Sequence, residues 1–220
     1  MPDPGLNIHV EHDPMYTENG FVLYFRDGGD CWMVDPGLPP HAERMSAFAE
    51  QHRLTLAAVL LTHAHPDHIA GVDELRGRLG PAPLYLAREE WSFLTDPVQN
   101  LSAGLGLDLI VSTDDLHDLA SGLELSLEGS RWTVLDTSGH SPGGRSLYCE
   151  AAGLVIVGDA LFAGSIGRTD FPHSDHSRLL ANLRDNLLTL PGYTRVLPGH
   201  GPETTIDTER RTNPFVLGEA

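Results

Sequence analysis

The stretch "LTHAHPDHIAG", residues 61–71, sets three histidines and an aspartate within six positions: His63, His65, Asp67 and His68. With 12 His in 220 residues, three at fixed spacing arise by chance in roughly 1 of 6,000 windows. The cluster therefore points to a metal site rather than to an ordinary polar turn, and its place in the chain supports that. Just before it, residues 57–61 (AAVLL) are wholly apolar, as in a strand covered on both faces. Just after it, residues 69–79 carry a helical pattern. The ligand-type residues thus sit where a buried strand ends, the usual place for functional groups on a rigid scaffold.

Working outward, residues 21–25 (FVLYF) and 31–35 (CWMVD) read as strands joined by the turn "RDGGD". Residues 41–53 read as a helix, 83–87 as a strand, and "EEWSFL" opens a short helix. Residues 96–122 are irregular, acidic and glycine-containing, with the texture of a loop insertion that could act as a lid. From 123 the chain turns to short strands: "LELSLEG", "RWTVLDT", "SLYCEA" and "LVIVGDA". A helix over 175–190 and a last strand and turn, "RVLPGH", follow. Strand-rich and helix-rich segments occur in both halves without an internal repeat or a linker. The expected fold is α/β, an αββα sandwich of two mixed sheets with helices outside, formed by one domain over residues 1–220.

Three further strand ends repeat one pattern, an apolar run, a glycine and a ligand-type residue. His140 follows "TVLDTSG", Asp159 follows "LVIVG" and His200 follows "RVLPG". Glycine lets the chain turn sharply enough to bring the side chain to the strand's end. His9, His12, His41, His52, His117, His173 and His176 lack that context and read as surface residues.

Composition narrows the partners. A net charge of −17 opposes electrostatic binding to nucleic acid or to an anionic membrane. The N-terminal stretch has no basic and apolar leader pattern, and no run of 18 apolar residues exists. Cys31 and Cys149 lie far apart in strand-like segments and read as buried free thiols of a cytoplasmic protein. Trp91, Phe93 and Trp132 read as packing residues. The oligomeric state is left open.

The ordered set H-A-H-P-D-H, G-H-S-P-G, G-D and P-G-H resembles the metallo-β-lactamase-fold hydrolases. The likeness runs from "MVDPG" to "TNPF". It implies one metal held by His63, His65 and His140, a second held by Asp67, His68 and His200, and Asp159 shared between them. Seven N/O ligands with one shared give each ion four protein contacts and leave room for a bridging water, the mark of a catalytic site. Two divalent transition-metal ions are expected, zinc ahead of iron and manganese. Such a pair makes hydroxide available from the bridging water at neutral pH, so the implied reaction is hydrolysis of an ester-like bond. The two carboxylates, Asp67 and Asp159, are the candidate catalytic residues.

Within this fold, Asp159 stands where some class B β-lactamases need a cysteine, and no RNA-binding arm or flavodoxin domain is present. "GDALFAGSIGRTDFP" (158–172) and "ERRTNPF" (209–215) are similar to the short, single-domain glyoxalase II-like hydrolases. The resemblance implies a small-molecule thioester as substrate, with glutathione as a candidate thiol carrier. "GRTDF" also resembles persulfide dioxygenases, in which one iron would sit on His63, His140 and Asp159; lactonase and phosphodiesterase activities are further alternatives on this fold. Arg168 and Asp170 read as a structural pair, the alternative being that Arg168 is a candidate for a substrate carboxylate. Asp35 and Asp170 are candidate acceptors behind the ligands, with a turn-forming role as the alternative for Asp35.

Overall fold

A computed structural model describes residues 5–13 and 16–218. The chain opens with β1 (Asn7–His12), β2 (Asn19–Tyr24) and β3 (Asp30–Val34), then α1 (His41–His52) and β4 (Thr55–Leu60). Next come α2 (Pro66–Ile69), α3 (Val72–Leu79), β5 (Leu84–Leu86) and β6 (Leu116–Asp118). These strands form one six-stranded sheet in the order β1-β2-β3-β4-β5-β6, antiparallel up to β3 and parallel from there.

The second half adds β7 (Glu124–Leu127), β8 (Ser130–Asp136), β9 (Arg145–Cys149) and β10 (Leu154–Gly158). A small hairpin follows, β11 (Leu161–Phe162) with β12 (Ser165–Ile166). Then come α4 (His176–Asn182), β13 (Arg195–Pro198), β14 (Thr204–Thr205), α5 (Ile206–Thr212) and α6 (Pro214–Leu217). The second sheet runs β14-β13-β10-β9-β8-β7 and is mixed, with β13 parallel to β10.

The period-two alternation of strand side chains sorts the apolar residues into three cores. Phe21, Leu23, Trp32, Val34 and Leu60 point between the sheets, where they meet Trp132, Val134, Leu147 and Ile156. The indoles of Trp32 and Trp132 pack across that interface with ring centroids 5.9 Å apart. The alternate residues Val22, Cys31, Met33 and Val59 face Met45 and Ala49 of α1 and Leu75 of α3. On the far side Val155, Val157 and Val196 pack on Leu179 and Leu183. The result is the expected α/β/β/α layering.

Differences from the sequence expectation have local causes. The helix expected over 69–79 starts earlier, at Pro66 in the first helical position, where its missing N–H costs nothing. It breaks at Gly71, whose N–H is taken by the Pro36 carbonyl at 2.6 Å. The helix expected over 175–190 is α4 followed by a wider π turn, Leu183–Leu187. The segment after residue 96 is more ordered than expected. Fully buried Asn100 donates to the Phe93 and Leu109 carbonyls, and its own carbonyl accepts from Ser102 N–H. His41, expected at the surface, is fully buried against Glu18 at 2.8 Å. Both cysteines are buried and free, as expected. Trp132 and Phe93 are core residues, and Trp91 packs against the core. No helix among the described residues is long and apolar enough to cross a membrane.

Candidate metal centre

All seven candidate ligands reach one end of the interface between the sheets. His63 and His65 lie in the turn after β4, Asp67 and His68 in the first turn of α2, and His140 in the loop after β8. Asp159 follows β10, and His200 follows β13. Two glycines make the approach possible. A Cβ at Gly199 would collide with Asp159 Oδ1 and His68 Cε1, and one at Gly167 with the Asp159 carbonyl. Backbone without side chains is required at both points.

Three ligand groups emerge among the described residues, and one of them, His63 with His68 and Asp159, links the other two. The ligand atoms of His63, His65 and His140 lie within 4.8 Å of one another, and so do those of Asp67, His68 and His200. His65 Nδ1 is 3.0 Å from His63 Nε2 and 2.9 Å from His140 Nε2. Asp159 lies between the sets, its carboxylate oxygens 3.5 Å from His140 Nε2 on one side and from His68 Nε2 and His200 Nε2 on the other. That is the placement a shared carboxylate needs.

The surrounding groups aim the ring nitrogens inward. His68 Nδ1 donates to Asp35 Oδ2 at 3.0 Å. His63 Nδ1 faces Thr62 Oγ1 at 3.1 Å, and that hydroxyl donates to Asp35 at 2.6 Å. Fully buried Asp35 thus supports two of the histidines, one directly and one through Thr62. His140 Nδ1 donates to the Arg168 carbonyl at 2.8 Å and His200 Nδ1 to the Tyr16 carbonyl at 2.9 Å. Each of these four rings is thereby turned so that Nε2 faces the centre, the arrangement that fixes orientation in metal sites.

The electrostatics fit cations. Burial drives His63 well below the ordinary imidazole range, and burial with His140 beside it brings His65 down to about 3. Both rings are therefore neutral, so each has one bare nitrogen to offer a cation. Burial pushes Asp159 up, but His68, His140 and His200 together outweigh it and hold the carboxylate ionised. Burial would likewise lower His68, yet Asp159, Asp67 and Asp35 raise it. His68 Nε2 and Asp159 Oδ1 are buried without a hydrogen bond, their one polar contact being each other at 3.5 Å. Such groups are costly unless something pairs with them. Divalent cations meet that need, and the N/O donor set suits zinc, iron or manganese.

Arg168 and Asp170 form the structural pair that the sequence suggests. The guanidinium forks onto the Asp170 carboxylate at 2.6 and 2.7 Å and stacks over Phe171, 4.2 Å from the ring centre. Asp170, expected behind a ligand histidine, instead holds Arg168 at the surface. The part of Arg168 that supports a ligand is its backbone carbonyl. Sequence reasoning also missed Glu90. It is fully buried, and its two carboxylate oxygens accept from Ala64 N–H at 2.5 Å and Gly143 N–H at 2.6 Å. It joins the turn that carries His63 and His65 to the loop that carries His140. Its only sequence signal is an acid inside a helical stretch.

Over the ligands lies a cavity of about 770 Å³, within the usual size range of small-molecule sites. His65, Asp67, His140, Asp159 and His200 line its floor, with Phe162, Ile166 and Phe171 on its walls and Val98, Leu101 and Leu105 at its mouth.

Comparison with known proteins agrees with this architecture. The family model "Metallo-beta-lactamase superfamily" matches residues 15–200. Among curated relatives, the probable metallo-hydrolase YqgX of Bacillus subtilis (strain 168) is 42% identical over 201 residues, covering 91% of this chain and 92% of its own. The hydroxyacylglutathione hydrolase GloC of Haemophilus influenzae is 33% identical over 212 residues, covering 96% and 98%. Among solved structures, the BLEG-1 B3 metallo-beta-lactamase superposes with a TM-score of 0.86 at 38% identity, covering 97% of this chain and 100% of that one. TTHA1623 in a di-iron-bound form gives 0.80 at 35%, covering 94% and 99%. ETHE1 from Myxococcus xanthus gives 0.78 at 27%, covering 97% and 86%.

Proposed function

Because the chain belongs to the metallo-beta-lactamase superfamily, we propose that it is a binuclear metal-dependent hydrolase of acyl thioesters. The observation that carries the reading is the pair of complete ligand sets at the cavity floor with Asp159 between them. His63, His65 and His140 would hold one ion, and Asp67, His68 and His200 the other. Zinc suits the donors best, with iron and manganese next; the relative TTHA1623 was solved with two irons. Bound there, the ions supply Lewis acidity toward a thioester carbonyl and acidify water for attack near neutral pH.

The protein's own groups supply position and charge. Asp159 and Asp67 bring two negative charges to the floor and hold the ligand histidines toward the centre. Asp35, through His68 and Thr62, keeps the rings from rotating. Side-chain nucleophiles are disfavoured. Cys31 and Cys149 are buried away from the cavity, and burial pushes the Cys31 thiol up to about 12. Ser165, the one serine lining the cavity among the described residues, donates to the Ile166 carbonyl rather than to a histidine. Water is the remaining nucleophile. GloC, a hydroxyacylglutathione hydrolase by name, supports the thioester as the bond cleaved.

The test is thiol release from S-lactoylglutathione by metal-replete protein, followed alongside oxygen uptake. Hydrolysis without oxygen uptake, lost by several orders of magnitude in Asp159→Ala, is expected. Oxygen uptake with a persulfide substrate and one iron per chain would replace the reading by the dioxygenase alternative. That alternative leaves Asp67, His68 and His200 without a role, which is why two ions are favoured.

A further inference from the structure

We propose that the cavity selects thioesters with an uncharged, apolar acyl chain over glutathione conjugates. This inference rests on the hydrolase reading above and names its substrate class. Much of the cavity lining beyond the ligands is apolar. The Phe171 ring lies 5.4 Å from the His65 ring, beside the first ligand set. The Phe162 ring lies 6.1 Å from the His200 ring, beside the second. Ile166 completes the wall, and Leu101 overhangs it from the segment pinned by Asn100. At the mouth, Val98 is 73% exposed and Leu105 48%. Exposed apolar side chains around a cavity that also holds polar catalytic groups are the usual form of a site for an apolar ligand.

The charges point the same way. A glutathione conjugate carries two carboxylates, and their recognition calls for cations, arginine forks above all. Apart from histidines, Arg168 is the one basic side chain lining the cavity among the described residues. The Nε–Nη2 edge of its guanidinium is already on Asp170. The net charge of −17 gives an anionic substrate no long-range attraction. A long uncharged acyl chain needs no cation and covers the walls and mouth.

The experiment compares kcat/KM of metal-replete protein for S-lactoylglutathione and for N-acetylcysteamine thioesters from acetyl to octanoyl. Burying one methylene contributes about 0.8 kcal/mol, about fourfold in kcat/KM. The series should therefore climb at least a hundredfold, and octanoyl should exceed S-lactoylglutathione. Leu105→Asp, at the half-exposed mouth where folding tolerates a charge, should flatten the climb. A flat series, or a tenfold or greater preference for S-lactoylglutathione, would overturn the inference while leaving thioester hydrolysis intact. Calorimetry with the amide analogues, in which nitrogen replaces the thioester sulfur, reads the cavity without turnover. Octanoyl amide binding tighter than acetyl amide, with a negative heat-capacity change, supports the inference even if no thioester is cleaved. Equal or absent binding of both amides overturns it.

Discussion

Replacing Glu90 by Gln tests whether the two loops that carry the first ligand set are held by one side chain. Its two carboxylate oxygens accept from Ala64 N–H and Gly143 N–H in a fully buried setting. Glutamine keeps the size but offers one acceptor oxygen, so its NH₂ group must face one of those N–H donors. A buried donor left without an acceptor costs about 1–3 kcal/mol. At about 2–4 °C per kcal/mol for a chain of this size, metal-free Glu90→Gln should melt about 2–12 °C lower. The functional effect is separate. Losing a group that orients ligands costs about 10–100-fold in metal affinity, here at His63, His65 and His140, whose loops Glu90 joins. The assay pairs thermal unfolding in a chelator with a competitive metal titration. Glu74→Gln, which loses only an exposed pair with Arg78 on one helix, is the control and should change stability by less than about 0.5 kcal/mol. If Glu90→Gln lowers the melting temperature but leaves affinity for the first ion within twofold, Glu90 braces the fold alone and the reasoning fails.

Gly199→Ala places a Cβ against Asp159 and His68; the folded variant should lose binding of at least one ion, read by elemental analysis and circular dichroism. Cys31→Ala and Cys149→Ala should keep hydrolysis within a few-fold, and neither thiol of the wild type should react with a disulfide reagent at pH 8 until the protein unfolds. Asp136 is pushed up by partial burial, but the Ser138 hydroxyl and N–H, with Arg145 and Arg178, bring it below the ordinary range. A depressed folded value means its contribution is present above the unfolded value of about 3.9 and fades as pH falls through the folded one. The stability gap between wild type and Asp136→Asn should accordingly be constant from pH 8 to 5 and narrow below pH 4.

The strand-end pattern was legible because each ligand follows an apolar run, and apolar runs report burial. Layering was legible for the same reason, since the alternation in "FVLYF" and "CWMVD" separates Phe21 and Trp32 from Val22 and Met33. The edge strands of the first sheet were not: β1 and β6 are half-polar and their pattern is that of a loop. His41 was read as exposed because its buried partner, Glu18, lies 23 positions away in the chain. Glu90, Thr62 and the carbonyls of Tyr16 and Arg168 act through tertiary contacts with no local signature. Arg168 drew attention as a cation near the site, and the structure shows the Nε–Nη2 edge of its guanidinium on Asp170.

Metal content of the loaded and desalted protein, wild type beside His200→Ala, tests the central claim most directly. His200 belongs to the Asp67 and His68 set and not to the set of His63, His65 and His140. Close to two ions per chain in the wild type and close to one in the variant is the predicted result. One ion per chain in the wild type, unchanged in His200→Ala, would contradict the binuclear site.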